Sequence, residues 1–173
     1  GQTYSSFYIS SNGYITFASG QPASPVYGVA IPNVPTPNNY IAGAWNDLNP
    51  SNAGSSVGYF VTGSAPNRKL VVQYITSHYG GTGYPYNFQI VLCEGSNNIE
   101  IHTTTISNAS AYDANALTVQ GVENSTGTKG TAVPGRNAAH FSATNDAYLF
   151  TPTVSYTYSW LPGNLNGASQ TVN

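Results

Sequence analysis

The chain has 173 residues, enough to bury a core, yet only 6% are Asp, Glu, Lys or Arg, against about 25% in an ordinary domain. Four basic residues and a net charge of −2 exclude a basic patch for nucleic acid or for an anionic membrane surface, and no apolar run is long enough to span a bilayer as a helix. A lone cysteine, Cys93, excludes an intrachain disulfide, and a surface of Ser, Thr, Asn, Gly and 14 tyrosines fits an extracellular wall or matrix β protein, whose polar surface need not be ionic.

The elements read as strands almost throughout. Residues 7–10 and 14–17 flank Ser11-Asn12-Gly13, and Asn-Gly between apolar runs signals a hairpin because both residues tolerate positive φ. Prolines 32, 35 and 37 then interrupt the pattern. Proline cannot sit in a central ladder, so this segment is expected to carry the chain from one sheet to the other. Ile41 and Trp45 should enter the core, and Asp47 should close that strand. Strands follow at 57–61, 69–76, 88–93, 99–102, 117–122, 147–150 and 154–160, separated by polar turns such as Gly95-Ser96-Asn97. The stretch 107–116 tolerates helix but is too polar to form one.

Short strands at regular spacing predict an all-β, antiparallel, jelly-roll-like β-sandwich over residues 1–152. Its expected core is Phe7, Ile9, Ile15, Phe17, Ile41, Trp45, Phe60, Leu70, Val72, Phe88, Ile90, Leu92, Ile99, Ile101 and Phe150. Residues 153–173 form a strand-like tail with too few strands for a core of its own. Val154, Tyr156, Tyr158 and Trp160 share one face of that tail, so it is expected to dock on the sandwich or pair with another copy. The chain opens at Gly1 and contains no Met, which reads as a mature or excised fragment.

Five segments, "FYISSNGYITF", "IPNVPTPNNYIAGAWNDLNP", "APNRKLVVQYITSHY", "YNFQIVLCEGSNNIEIHTTTI" and "LTVQGVENSTGTKGTAVPGRNAAHFSATNDAYLFTP", together resemble a β-sandwich module of very large secreted proteins of Bacteroidetes and related bacteria. That module is distantly similar to the nidogen extracellular domain. The tail "YTYSWLPGNLNGASQTVN" resembles the first strands of an immunoglobulin-like repeat. The resemblance implies a secreted or cell-surface multidomain protein, often exported by type IX secretion and used in adhesion, gliding or polymer capture. It carries no catalytic residues with it.

Three candidate sites follow from the residues. Tyr79, Tyr84 and Tyr86 surround a glycine-rich segment, and rigid aromatic rings suit a carbohydrate or peptide surface. Asp47 with Asn46 and Asn49 could offer oxygens to calcium, the one cofactor the pattern admits. Calcium usually takes several carboxylates and the chain has three Asp and three Glu in all, so only a weak site is expected. Glu100 and His102 share a strand face, but no nucleophile elbow, zinc motif or second positioned carboxylate accompanies them. The expected function is therefore a non-catalytic extracellular adhesion, binding or structural module. Its partner is a surface polysaccharide or protein, or further copies of itself through strand pairing. The alternative is an accessory domain of a secreted polysaccharide- or peptide-degrading enzyme.

Overall fold

The computed structural model describes residues 3–20 and 25–153, together with the backbone of residues 159–160 and 165–166. Twelve strands run in chain order: β1 (Tyr8–Ile9), β2 (Tyr14–Thr16), β3 (Tyr40–Trp45), β4 (Ser56–Thr62), β5 (Lys69–His78), β6 (Gly81–Cys93), β7 (Ile99–Ile106), β8 (Val119–Glu123), β9 (Gly130–Ala132), β10 (Ala143–Phe150), β11 (Ser159–Trp160) and β12 (Leu165–Asn166). There is no helix among the described residues, and 107–116 is built of turns.

Two five-stranded antiparallel sheets face each other. The first has the order β1-β2-β3-β8-β9 and the second β10-β7-β6-β5-β4. Among the described residues, β11 and β12 pair with one another. The all-β sandwich expected from the strand spacing is therefore the fold. The face of the tail strand predicted for Val154, Tyr156, Tyr158 and Trp160 lies outside the described residues and side chains.

Alternation places Ile15, Ile41, Val72, Tyr74, Phe88, Ile90 and Ile106 between the sheets. Tyr74 and Phe88 stack at 4.6 Å. The sheets approach closely where β3 crosses β6, because Gly43 carries no side chain: a Cβ there would lie 2.4 Å from the Phe88 ring. The Asn12-Gly13 turn forms as predicted, with Gly13 at φ 83°. Its carbonyl accepts the backbone N–H groups of Gly43 and Ala44, where β3 bulges against β8.

Two expectations need correction. The proline segment does not cross between sheets, since β2 and β3 are neighbours in the same sheet. Instead the connection folds across that sheet's outer face. Ile31 and Val29 pack there on Tyr14, Tyr40, Ala42, Trp45 and Val119, forming a second apolar cluster. The Trp45 indole N–H donates to the Val26 carbonyl at 3.1 Å, and Asn137 exchanges two hydrogen bonds with the Ile31 backbone. Proline suits this role because its missing N–H needs no ladder partner. β3 is consequently buried along its whole length, on both faces.

The second correction is Phe60, which is not in the core. It lies on the outer face of edge strand β4 and is 48% exposed. The period-2 reading identified the strand but not its place at the edge. Of the other predicted core residues, Ile15, Ile41, Trp45, Val72, Phe88, Ile90 and Ile101 are buried. Phe7, Ile9, Phe17, Leu70, Leu92, Ile99 and Phe150 are half-buried.

Candidate functional site

Beyond Trp45 the chain leaves β3 and runs beside the end of β5. Leu48 bridges His78, the Tyr79 N–H donates to the Asp47 carbonyl at 2.7 Å, and the Asn49 N–H donates to the Ser77 carbonyl at 2.9 Å. This pairing brings Tyr79 beside Asp47. Tyr79 and Gly80 form a tight turn into β6, with Gly80 at φ 71°.

Across from them stands the β1–β2 hairpin. Between the two lies a groove of about 680 Å³, lined on one side by Tyr8, Ile9, Ser10, Ser11 and Asn12 and on the other by Asp47, Leu48, Asn49, Ser51 and Tyr79. Tyr8 and Tyr79, 46% and 60% exposed, are its two most accessible aromatic rings. Asp47 is half-buried, and its carboxylate accepts no hydrogen bond from the described residues. Burial raises its pKa above the ordinary aspartate value; His78 acts against that shift and Asp113 adds to it.

The groove unites parts of two sequence-predicted sites and separates the rest. Tyr79, Asp47 and Asn49 meet there, whereas Tyr84, Tyr86 and Asn46 do not. Tyr84 is half-buried beside Tyr112, with ring centroids 6.0 Å apart. Tyr86 is fully buried, so it cannot present a ring to a ligand. Asn46 is also fully buried; its amide nitrogen donates to the Tyr86 hydroxyl, the Ala116 carbonyl and the Thr118 hydroxyl, and its oxygen accepts the Asp47 N–H. Asn49 accepts the Ser51 N–H and donates to Asn52, the pattern of an Asx turn. Of the three residues considered for calcium, Asn46 and Asn49 each accept a backbone N–H on the side-chain oxygen, and Asp47 lines the groove. Among the described residues no three His, Cys, Asp or Glu side chains are placed to share a metal ion.

Sequence reasoning missed Tyr8 and, on the two sides of the groove, Ser11 and Ser51. The available signal was alternation: Tyr8 lies between Phe7 and Ile9, which both pack toward the core, so its ring must face outward. Nearby, His78 is 2% exposed. Its Nδ1–H donates to the Tyr79 carbonyl at 2.8 Å, which leaves the buried Nε2 without a hydrogen-bond partner. Asp113 accepts from the Tyr27 hydroxyl, which holds its carboxyl below the ordinary range and pushes the Tyr27 phenol up to about 12.

Glu100 and His102 sit on the outer face of the second sheet. Glu100 accepts from Lys69 at 2.9 Å, bonds His102 at 2.8 Å and accepts from the Cys93 thiol at 3.2 Å. Lys69 first, then His102, holds the Glu100 carboxyl down at about 2. A carboxylate so occupied is a poor general base at neutral pH, and among the described residues no serine or threonine hydroxyl is bonded to His102.

A family model described as NIDO related matches residues 1–162. No curated protein and no solved structure matches the chain.

Proposed function

Because the chain belongs to the NIDO-related family, we propose that it is a non-catalytic extracellular module that captures a hydroxyl-rich surface ligand, polysaccharide above all, in the groove between Tyr8 and Tyr79. The observation that carries the reading is Asp47: a half-buried carboxylate with unused acceptor capacity, lining a groove that also holds two exposed phenol rings. Sugar hydroxyls supply the donors such a carboxylate needs, and the rings offer flat apolar faces to sugar C–H groups at low entropic cost. Ser11 and Ser51 add exposed hydroxyls on either side. The near absence of other charge favours a neutral polymer over a strongly charged partner.

The family match, and a Glu100–His102 pair that Lys69 occupies and to which no Ser or Thr hydroxyl is bonded among the described residues, support a non-catalytic role. Within a parent protein the module would sit on the cell surface or in a secreted filament, with an immunoglobulin-like repeat beginning after residue 152. The test is a glycan array probed with the full chain, together with its Tyr79→Ala and Asp47→Asn variants. Saturable binding that both variants weaken supports the reading. Turnover of a bound glycan or peptide that disappears in Glu100→Gln or His102→Ala would replace it with the enzyme-accessory alternative.

A further inference from the structure

β4 is the outermost strand of the second sheet, and it lacks the features that keep edge strands solitary. Its sequence, Ser-Val-Gly-Tyr-Phe-Val-Thr, contains no charge and no proline, and its pairing with β5 runs without a bulge from Ser56 to Thr62. Tyr59, Phe60 and Val61 are 64%, 48% and 59% exposed in succession, so both faces of the edge are apolar. The other edges are guarded. β1 has two residues and β9 three. β10 carries Asp146, held by Arg136, and is distorted at Asn145, where φ is 50°.

Gly58 lies in the middle of this edge without an intramolecular reason. Its φ is not in the left-handed region, and a Cβ built on it would meet nothing within 4 Å. A glycine inside a strand weakens it, and where the fold does not require one it marks a close approach by something else.

We propose that β4 is a self-association edge, at which two copies of this chain pair antiparallel about a two-fold axis through Tyr59. The strand's own sequence is complementary to itself in that register. Tyr59 faces Tyr59 of the second copy, Val57 faces Val61, and Phe60 faces Gly58. Each Phe60 ring then covers the partner's bare glycine, the cross-strand arrangement in which an aromatic side chain offsets the cost of a strand glycine. With no charge in the segment, the two-fold axis brings no like charges together. The product is a continuous ten-stranded sheet. This interface is separate from the groove and does not depend on the ligand proposed for it.

A single strand edge makes a small interface, so association is expected in the micromolar to millimolar range. Sedimentation over about two decades of concentration should show a reversible dimer of the full chain. Phe60→Lys should weaken it at least about tenfold, since a lysine at an edge opposes pairing. Gly58→Val should weaken it too while leaving the circular dichroism spectrum unchanged, because the fold has room for the side chain. Leu149→Lys, a charge at the exposed apolar site on β10, should leave it intact.

Register is read by cross-linking in a Cys93→Ser background. Tyr59→Cys should form a disulfide dimer alone. Val57→Cys and Val61→Cys should do so when mixed and not separately. A chain that stays monomeric over the whole range overturns the proposal. So does a dimer that survives Phe60→Lys, or a cross-link pattern centred on another residue.

Discussion

The Asn46 amide nitrogen lies 3.1 Å from the Tyr86 hydroxyl oxygen, and both residues are fully buried. Asn46 follows the last residue of β3 in the first sheet and Tyr86 belongs to β6 in the second, so the bond ties the two layers together. The Thr118 hydroxyl completes the cluster at 2.7 Å from the same nitrogen. Asn46→Ala would take the side-chain donor from the buried Ala116 carbonyl and leave the Tyr86 and Thr118 hydroxyls with their mutual bond of 3.3 Å. The expected cost is about 2–4 kcal/mol, read from urea unfolding, against about 1 kcal/mol for Tyr86→Phe, which removes one partner and keeps the ring. Equal and negligible costs would show that the cluster is solvated.

Trp45 tests the second apolar layer. Its ring packs between Tyr14 and Tyr40, with centroids 4.9 and 5.3 Å away, and its N–H ties down the connection from β2 to β3. Trp45→Ala should cost about 3–5 kcal/mol. It should also make that connection a protease-sensitive site, because the segment loses both its apolar floor and its hydrogen bond. Proteolysis unchanged from the parent chain would show that the connection is held by other contacts.

Acid should weaken the fold through Glu100. Its folded pKa of about 2 is well below the ordinary glutamate value of 4.5. The depressed carboxylate therefore contributes stability that is complete above about pH 4.5 and is lost as pH falls toward 2. Lys69 and His102 are 44% and 48% exposed, so screening limits the contribution to about 1 kcal/mol. In Glu100→Gln this part of the pH dependence should vanish. A profile as steep as the parent's between pH 4.5 and 2 would assign the effect to other carboxylates.

The strands, the Asn12-Gly13 hairpin and most of the inter-sheet core were legible because alternation and turn chemistry are local signals. What escaped was set by topology. Phe60 and Val72 both sit in alternating apolar strands, but register pairs Val72 with Tyr59, which turns Phe60 to the outer face of an edge strand. The proline segment showed that it was not a ladder strand, but not that it would roof its own sheet. Tyr79 and Tyr86 looked equivalent as aromatics near glycines; one ends a hairpin in solvent, while the other points between the sheets. Asp47 and Tyr79 stand side by side only because the segment after β3 pairs with the end of β5, a contact between residues far apart in the chain.

Ionisation of Asp47 should govern the groove. Its pKa is raised, so ligand binding that needs the carboxylate should fall as pH drops through a value above the ordinary 3.8 of aspartate. Asp47→Asn should bind more weakly at neutral pH and lose that acid dependence. A parent and an Asp47→Asn profile of the same shape would place the titrating group elsewhere.

The most direct test of the proposed function is calorimetric titration of the full chain with a neutral oligosaccharide selected on the glycan array. Parent, Tyr79→Ala, Asp47→Asn and Glu100→Gln chains should be compared under one buffer condition. The account predicts saturable binding without turnover, weakened about tenfold or more by each groove substitution and unchanged by Glu100→Gln. Affinity unaffected by both Tyr79→Ala and Asp47→Asn would contradict it.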